Sequence, residues 1–166
     1  MHFRITTLVE NSVAQSGQAL LAEHGLSFYI EEGNRKILFD TGQNLVISNN
    51  ARVLGIDLSQ IDTVVLSHGH YDHSGGLKSI LESNKDFTLY GHPDVFSPKV
   101  KKANGNYKYI GIPVEKNNIV NCGISLQLNR DPVVVAPGVM TSGEIALANE
   151  FKDRVFFNTV GNVFEF

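Results

Sequence analysis

The chain has 166 residues, 42% apolar and 19% charged, enough for one globular domain with a buried core and unlike collagen-like, low-complexity or disordered chains. A formal net charge of −3 argues against nucleic acid as a partner, and the locally basic Lys99-Val100-Lys101-Lys102 reads as a solvated loop. No apolar run approaches the span of a bilayer, the single cysteine (Cys122) cannot form an internal disulfide, and Met1-His2-Phe3-Arg4 lacks a signal-peptide pattern, so no membrane partner and a reducing, cytoplasmic location are expected.

Taken in order, Phe3–Val9 alternates as a strand, and residues 26–31 and 36–40 flank Gly33-Asn34 as the arms of a β-hairpin. The Phe28/Ile30 and Ile37/Phe39 sets then share the side expected to be buried. Leu45, Val46, Val53 and Leu54 have helical spacing ending at Gly55, and a short turn follows at Asp57-Leu58-Ser59. Thr63-Val64-Val65-Leu66 is a continuous β-branched run, as in a strand covered on both faces. Leu77, Ile80 and Leu81 give one apolar helical stripe, and residues 87–90 return to strand. Residues 99–109 are polar and read as a surface loop; residues 125–128, 133–135 and 155–157 read as strands. No repeat or linker interrupts residues 1–166, so a single domain is expected.

The chemistry concentrates where the buried run stops, at Ser67-His68-Gly69-His70-Tyr71-Asp72-His73-Ser74-Gly75-Gly76. His68 and His70 are two apart and can point to one side. Asp72 and His73 follow, giving four nitrogen and oxygen donors within six residues. Three of the chain's six histidines fall here, more than a turn-stabilising loop requires. Such donors suit a divalent metal, with Zn2+ expected and Fe or Mn as other occupants, one or two ions in number. Hydrolysis through metal-activated water is the chemistry such a site implies, with Asp72 the catalytic candidate that orients the water.

Leu38-Phe39-Asp40-Thr41-Gly42 followed by Val64-Val65-Leu66-Ser67-His68-Gly69-His70-Tyr71-Asp72-His73 resembles the metallo-β-lactamase superfamily. More narrowly, Leu8-Val9-Glu10-Asn11, Ala22-Glu23-His24-Gly25-Leu26-Ser27, Gly91-His92-Pro93 and Ser142-Gly143-Glu144-Ile145 resemble the subgroup related to dihydropterin ribofuranosylaminobenzene-phosphate synthases. The resemblance implies an α/β (α+β) fold, the αββα sandwich, of which this chain is expected to supply largely the N-terminal half. It implies His68 and His70 on one metal, and Asp72 and His73 on another. Asp40 would lie beneath the site, either bonding a ligand imidazole or the motif backbone, or closing an Asx-turn before Gly42. His24 and His92 are expected on the pocket wall, with His92 the nearer, and Glu144 beside them. Ala146-Leu147 replaces the Pro-Arg usual in the subgroup, which removes an expected anion contact. The family's later ligands have no counterpart, since no histidine follows His92.

The expected activity is therefore a metal-dependent hydrolase acting on a small ester, phosphoester or lactone. Three rivals stand beside it: a synthase acting on a pterin and a phosphoribosyl-type substrate, a non-catalytic metal-binding half-domain, and a di-iron oxidoreductase. Self-association into a homo-oligomer is also expected, because half a sandwich leaves apolar faces and strand edges uncovered.

Overall fold

The computed structural model describes residues 2–13, 17–103 and 105–145, together with the backbone of two short strands beyond them, Val155–Phe157 and Val163–Glu165. Strand β1 (Phe3–Val9) pairs antiparallel with β2 (Ser27–Glu32), which turns through Gly33, at a φ of 56°, into β3 (Arg35–Phe39). That positive φ is what a tight two-residue hairpin turn requires. From β3 the sheet continues in parallel through β4 (Thr63–Val65), β5 (Thr88–Gly91) and β8 (Ser125–Leu128), giving six strands in the order β1-β2-β3-β4-β5-β8.

The parallel steps are crossovers through helices. Helix α1 (Val46–Val53) follows β3; the four-residue α2 (Tyr71–Ser74) and α3 (Leu77–Ser83) follow β4; α4 (Lys116–Asn121) precedes β8. Tyr29, Leu38, Val64 and Leu89 stand side by side across the sheet. They bury against Ile47 and Ala51 of α1, Leu77 and Ile80 of α3 and Ile119 of α4, forming the main core. At about 1.5–3 kcal/mol for each fully buried aliphatic side chain, this layer is the main stabiliser of the sheet.

The sheet's other face is covered too. Ile37 and Val65 bury against Val135 and Ala136 of β9 (Val134–Ala136), whose antiparallel partner is β10 (Val139–Met140), with Ile30, Phe39 and Tyr90 around them. The expectation of one buried face on the β2–β3 hairpin is thus corrected. Tyr29 and Leu38 face the helices, and the Ile30/Ile37 side lies under the β9–β10 hairpin. The fold is α/β, a helix layer on a mixed sheet with β structure on the opposite side.

Residues 99–109 are also corrected, from loop to hairpin: β6 (Val100–Ala103) pairs antiparallel with β7 (Asn106–Tyr109). Seven of these eight strand residues are exposed, so no buried face marks them, and the alternation of Tyr107 and Tyr109 with polar residues is the one strand signal they carry. Together with β11 (Val155–Phe157) and β12 (Val163–Glu165) it forms a sheet in the order β12-β11-β6-β7. Among the described residues no helix is long and apolar enough to cross a membrane.

Candidate metal centre

The motif begins where β4 ends, at the carboxyl edge of the parallel strands, where open α/β sheets place their ligands. All three residues of β4 are buried, which anchors the strand from which Ser67 and His68 emerge. On the neighbouring strand end stands Asp40, fully buried and at a φ of 55°, a left-handed conformation that Asp tolerates better than most residues. The loop after β3 and the loop after β4 are bonded together. Thr41 N donates to His73 O at 2.7 Å, and Gly75 N donates to Gly42 O at 2.9 Å. Gly75 and Gly76 make this approach feasible, because a Cβ there would fall 1.8 Å from Gln43 O and 2.1 Å from Thr41 O.

Asp40 organises the cluster. Its Oδ1 accepts from Ser67 N at 2.8 Å, and its Oδ2 accepts from Ser67 Oγ and from His73 Nδ1, each at 2.7 Å. An ionised carboxylate only accepts, so both the Ser67 hydroxyl and His73 Nδ1 carry the hydrogen. Having donated to Asp40, Ser67 Oγ is left to accept from His68 Nδ1 at 2.9 Å. One buried carboxylate therefore holds Nδ1 of His73 directly and Nδ1 of His68 through Ser67, and leaves the Nε2 of each for other partners. Of the two expectations for Asp40, its carboxylate bonds an imidazole of the motif, His73, and the motif backbone at Ser67.

His68, Asp72 and His73 each offer one ligand atom, and these atoms lie within 4.8 Å of one another. His73 Nε2 and Asp72 Oδ2 are 3.8 Å apart. His70 reaches the group through His68, its Nδ1 lying 3.0 Å from His68 Nε2. Burial, reinforced by the nearby His73 and His70, lowers the His68 imidazole to about 4, so it is neutral at pH 7 and suited to ligation. Burial also lowers His70. Burial opposes charge on His73 as well, yet its bond to Asp40 and the charges of Asp40 and Asp72 raise it. The compact set is His68 with Asp72 and His73, and His70 adjoins it at His68. The donor chemistry, a neutral His68 imidazole, a His73 imidazole that becomes a ligand on releasing its Nε2 proton, and a carboxylate on a preformed frame, fits a divalent ion such as zinc.

Of the two expected wall histidines, His24 touches the cluster, its Nε2 lying 3.1 Å from Asp72 Oδ2. His92 accepts from Asp94 N through its Nδ1 at 3.1 Å and sits beside Arg130, whose Nη1 and Nη2 bond Glu144 Oε2 at 2.7 Å and Asp94 Oδ2 at 3.1 Å. His92 and Glu144 thus meet in an ion-pair cluster built on Arg130. Nothing in the local sequence marks Arg130, because its partners are 36 and 14 residues away. Ala146-Leu147 lies outside the described residues.

Gly69 also has a contact that its position between two histidines does not announce. A Cβ there would meet Val95 O at 1.8 Å and Lys99 Nζ at 2.7 Å, so the glycine admits the neighbouring loop and not merely its flanking imidazoles. Lys99 Nζ donates to the carbonyls of Asp94, Val95 and Ser97 at 3.0–3.2 Å, closing the 3₁₀ turn Pro93–Phe96 against the motif. Burial lowers this ammonium below the usual lysine range.

Residues 21–156, more than half of the chain, match the model of the metallo-β-lactamase superfamily. The chain is 36% identical, over 156 residues, to the 7,8-dihydropterin-6-methyl-4-(β-D-ribofuranosyl)-aminobenzene-5′-phosphate synthase of Methanocaldococcus jannaschii. That alignment covers 87% of this chain and 51% of the relative, so the chain spans about half the relative's length. A metal-dependent hydrolase of Staphylococcus aureus (strain Newman) is 44% identical over 57 residues, covering 33% of this chain and 23% of that protein. Among solved structures, a metal-dependent hydrolase of the β-lactamase superfamily superposes with a TM-score of 0.56 at 31% identity, covering 76% of this chain and 42% of that one. With its strand-end histidine cluster and the buried Asp40 beneath it, this chain belongs to the metallo-β-lactamase superfamily.

Proposed function

We propose that the chain is a metal-dependent hydrolase of a small ester, phosphoester or lactone, with His68, Asp72 and His73 holding the ion and His70 beside them. The observation that carries this reading is the Asp40 network, which holds Nδ1 of His68 and His73 and so reserves the Nε2 of each for an ion. A divalent cation, when bound, supplies Lewis acidity and makes a water acidic enough to serve as nucleophile near neutral pH. The residues do the rest. Asp40 and Ser67 hold the two imidazoles, and Asp72 orients the attacking water.

The test is metal content per chain by plasma mass spectrometry, together with turnover of chromogenic esters and phosphodiesters, for the parent and the His68→Ala/His70→Ala variant. One to two equivalents of metal in the parent, with metal and turnover both lost in the variant, is the expected result. Metal retained without turnover in the parent would favour the non-catalytic metal-binding reading. A parent without metal overturns the proposal. The likeness to the synthase supports a second reading, condensation of a pterin with a phosphoribosyl-type substrate. Product formation from that pair, without hydrolysis of the esters, would put it first.

A further inference from the structure

His24 stands outside the compact His68–Asp72–His73 group, yet its surroundings are built. Asn11 Nδ2 donates to Glu10 Oε1 at 3.3 Å, so it is the Asn11 carbonyl Oδ1 that faces His24 Nδ1, at 2.9 Å. An amide oxygen only accepts, and His24 Nδ1 therefore carries the hydrogen. In the neutral imidazole the lone pair is then on Nε2, which points at Asp72 Oδ2 from 3.1 Å. A separation of 3.1 Å is also that of two ligand atoms on one ion whose bonds are about 2.0–2.1 Å for zinc.

Backbone geometry independently brings His24 to this place. Gly25 has a φ of 136°, and a Cβ on it would fall 2.1 Å from the carbonyl oxygen of Asp72, so only glycine lets this turn rest on the motif. Glu23 Oε1 accepts from Gln43 N at 2.9 Å and Asn44 N at 3.0 Å, and Gly42 N donates to Leu26 O at 2.9 Å, tying both sides of the turn to the loop that carries Asp40. The His24 side chain is 67% exposed, and its Nε2 lies 3.1 Å from Asp72 Oδ2.

From these contacts we infer that His24 is a ligand of the metal centre, sharing a cation with Asp72, while Asn11 fixes its orientation. The inference rests on the metal-dependent reading above. It gives the centre an imidazole supplied from the segment before β2.

The experiment uses the full chain loaded with Zn2+ or Co2+. His24→Ala, Asn11→Ala and, as a control at an exposed histidine, His2→Ala are compared with the parent, after circular dichroism shows that each is folded. Zinc affinity is read by competition with a chromophoric chelator, and the number of imidazole ligands by X-ray absorption and the Co2+ visible spectrum. Expected are a loss of affinity of more than about 10-fold and of one imidazole in His24→Ala, and a smaller loss in Asn11→Ala, which keeps the imidazole but removes its support. His2→Ala should match the parent. An unchanged ligand count in His24→Ala, with or without weaker binding, overturns the inference and makes the His24–Asp72 contact an ion pair. A parent that binds no zinc fails the metal reading itself, which the His68→Ala/His70→Ala variant reports separately.

Discussion

Two polar clusters sit at the carboxyl ends of the parallel strands, and they are held in opposite ways. Around Asp40, at the ends of β3 and β4, the bonds of 2.7–2.8 Å converge on a carboxylate with no exposure to solvent. Around Arg130, beyond β5 and β8, bonds of 2.7 and 3.1 Å join side chains that are about half exposed. Distance alone would rank them together. Burial separates them, because a deserted partner in the interior keeps its desolvation cost, whereas one at the surface finds water.

The largest effect that sharpens this contrast is expected at Asp40. Asp40→Ala strands Ser67 N, Ser67 Oγ and His73 Nδ1 in a closed site, and should cost about 3–5 kcal/mol in urea unfolding and abolish metal retention. Asp40→Asn keeps the shape and tolerates the left-handed backbone, so it should fold while binding zinc about 10–100-fold more weakly. An Asp40→Ala protein as stable as the parent would break the comparison. Next comes Ser67→Ala, which removes the hydroxyl between Asp40 and His68. A loss of about 1 kcal/mol and a weakening of metal binding by about 10-fold are expected. Unaltered metal affinity would mean that the His68 tautomer is set elsewhere. The smallest effect should be that of Arg130→Ala, with an unfolding midpoint and metal content indistinguishable from the parent. A clear fall in either would show that the exposed cluster supports the frame after all.

What the sequence made legible follows the same division. The β2–β3 hairpin was readable from Gly33 and its flanking apolar pairs. The crossover around the motif was readable from the β-branched run of β4 and the stripe of Leu77 and Ile80, because burial writes itself into composition. The motif was legible because its donors are adjacent. Hidden were features assembled by tertiary contact: the left-handed φ of Asp40, the contact of His24 with Asp72 across 48 residues of chain, and the convergence of Arg130 with Asp94 and Glu144. The β6–β7 hairpin escaped for a different reason. Its ladder is made by backbone groups common to every residue, and its mostly exposed side chains carry only the brief alternation of Tyr107 and Tyr109.

The absence of a side chain at Gly69 couples two walls of the centre. Because Val95 O and Lys99 Nζ occupy the space that a Cβ would take, the turn at Pro93–Phe96 and the spacing of His68 and His70 form one interlocked part. Remodelling that turn to admit a different molecule would shift the imidazoles with it. Divergence toward new substrates is therefore constrained at the Gly69 contact, and the part of this wall that can vary without moving the metal frame is its outer end, where Asp94 meets Arg130 and Glu144 through solvent-exposed side-chain bonds.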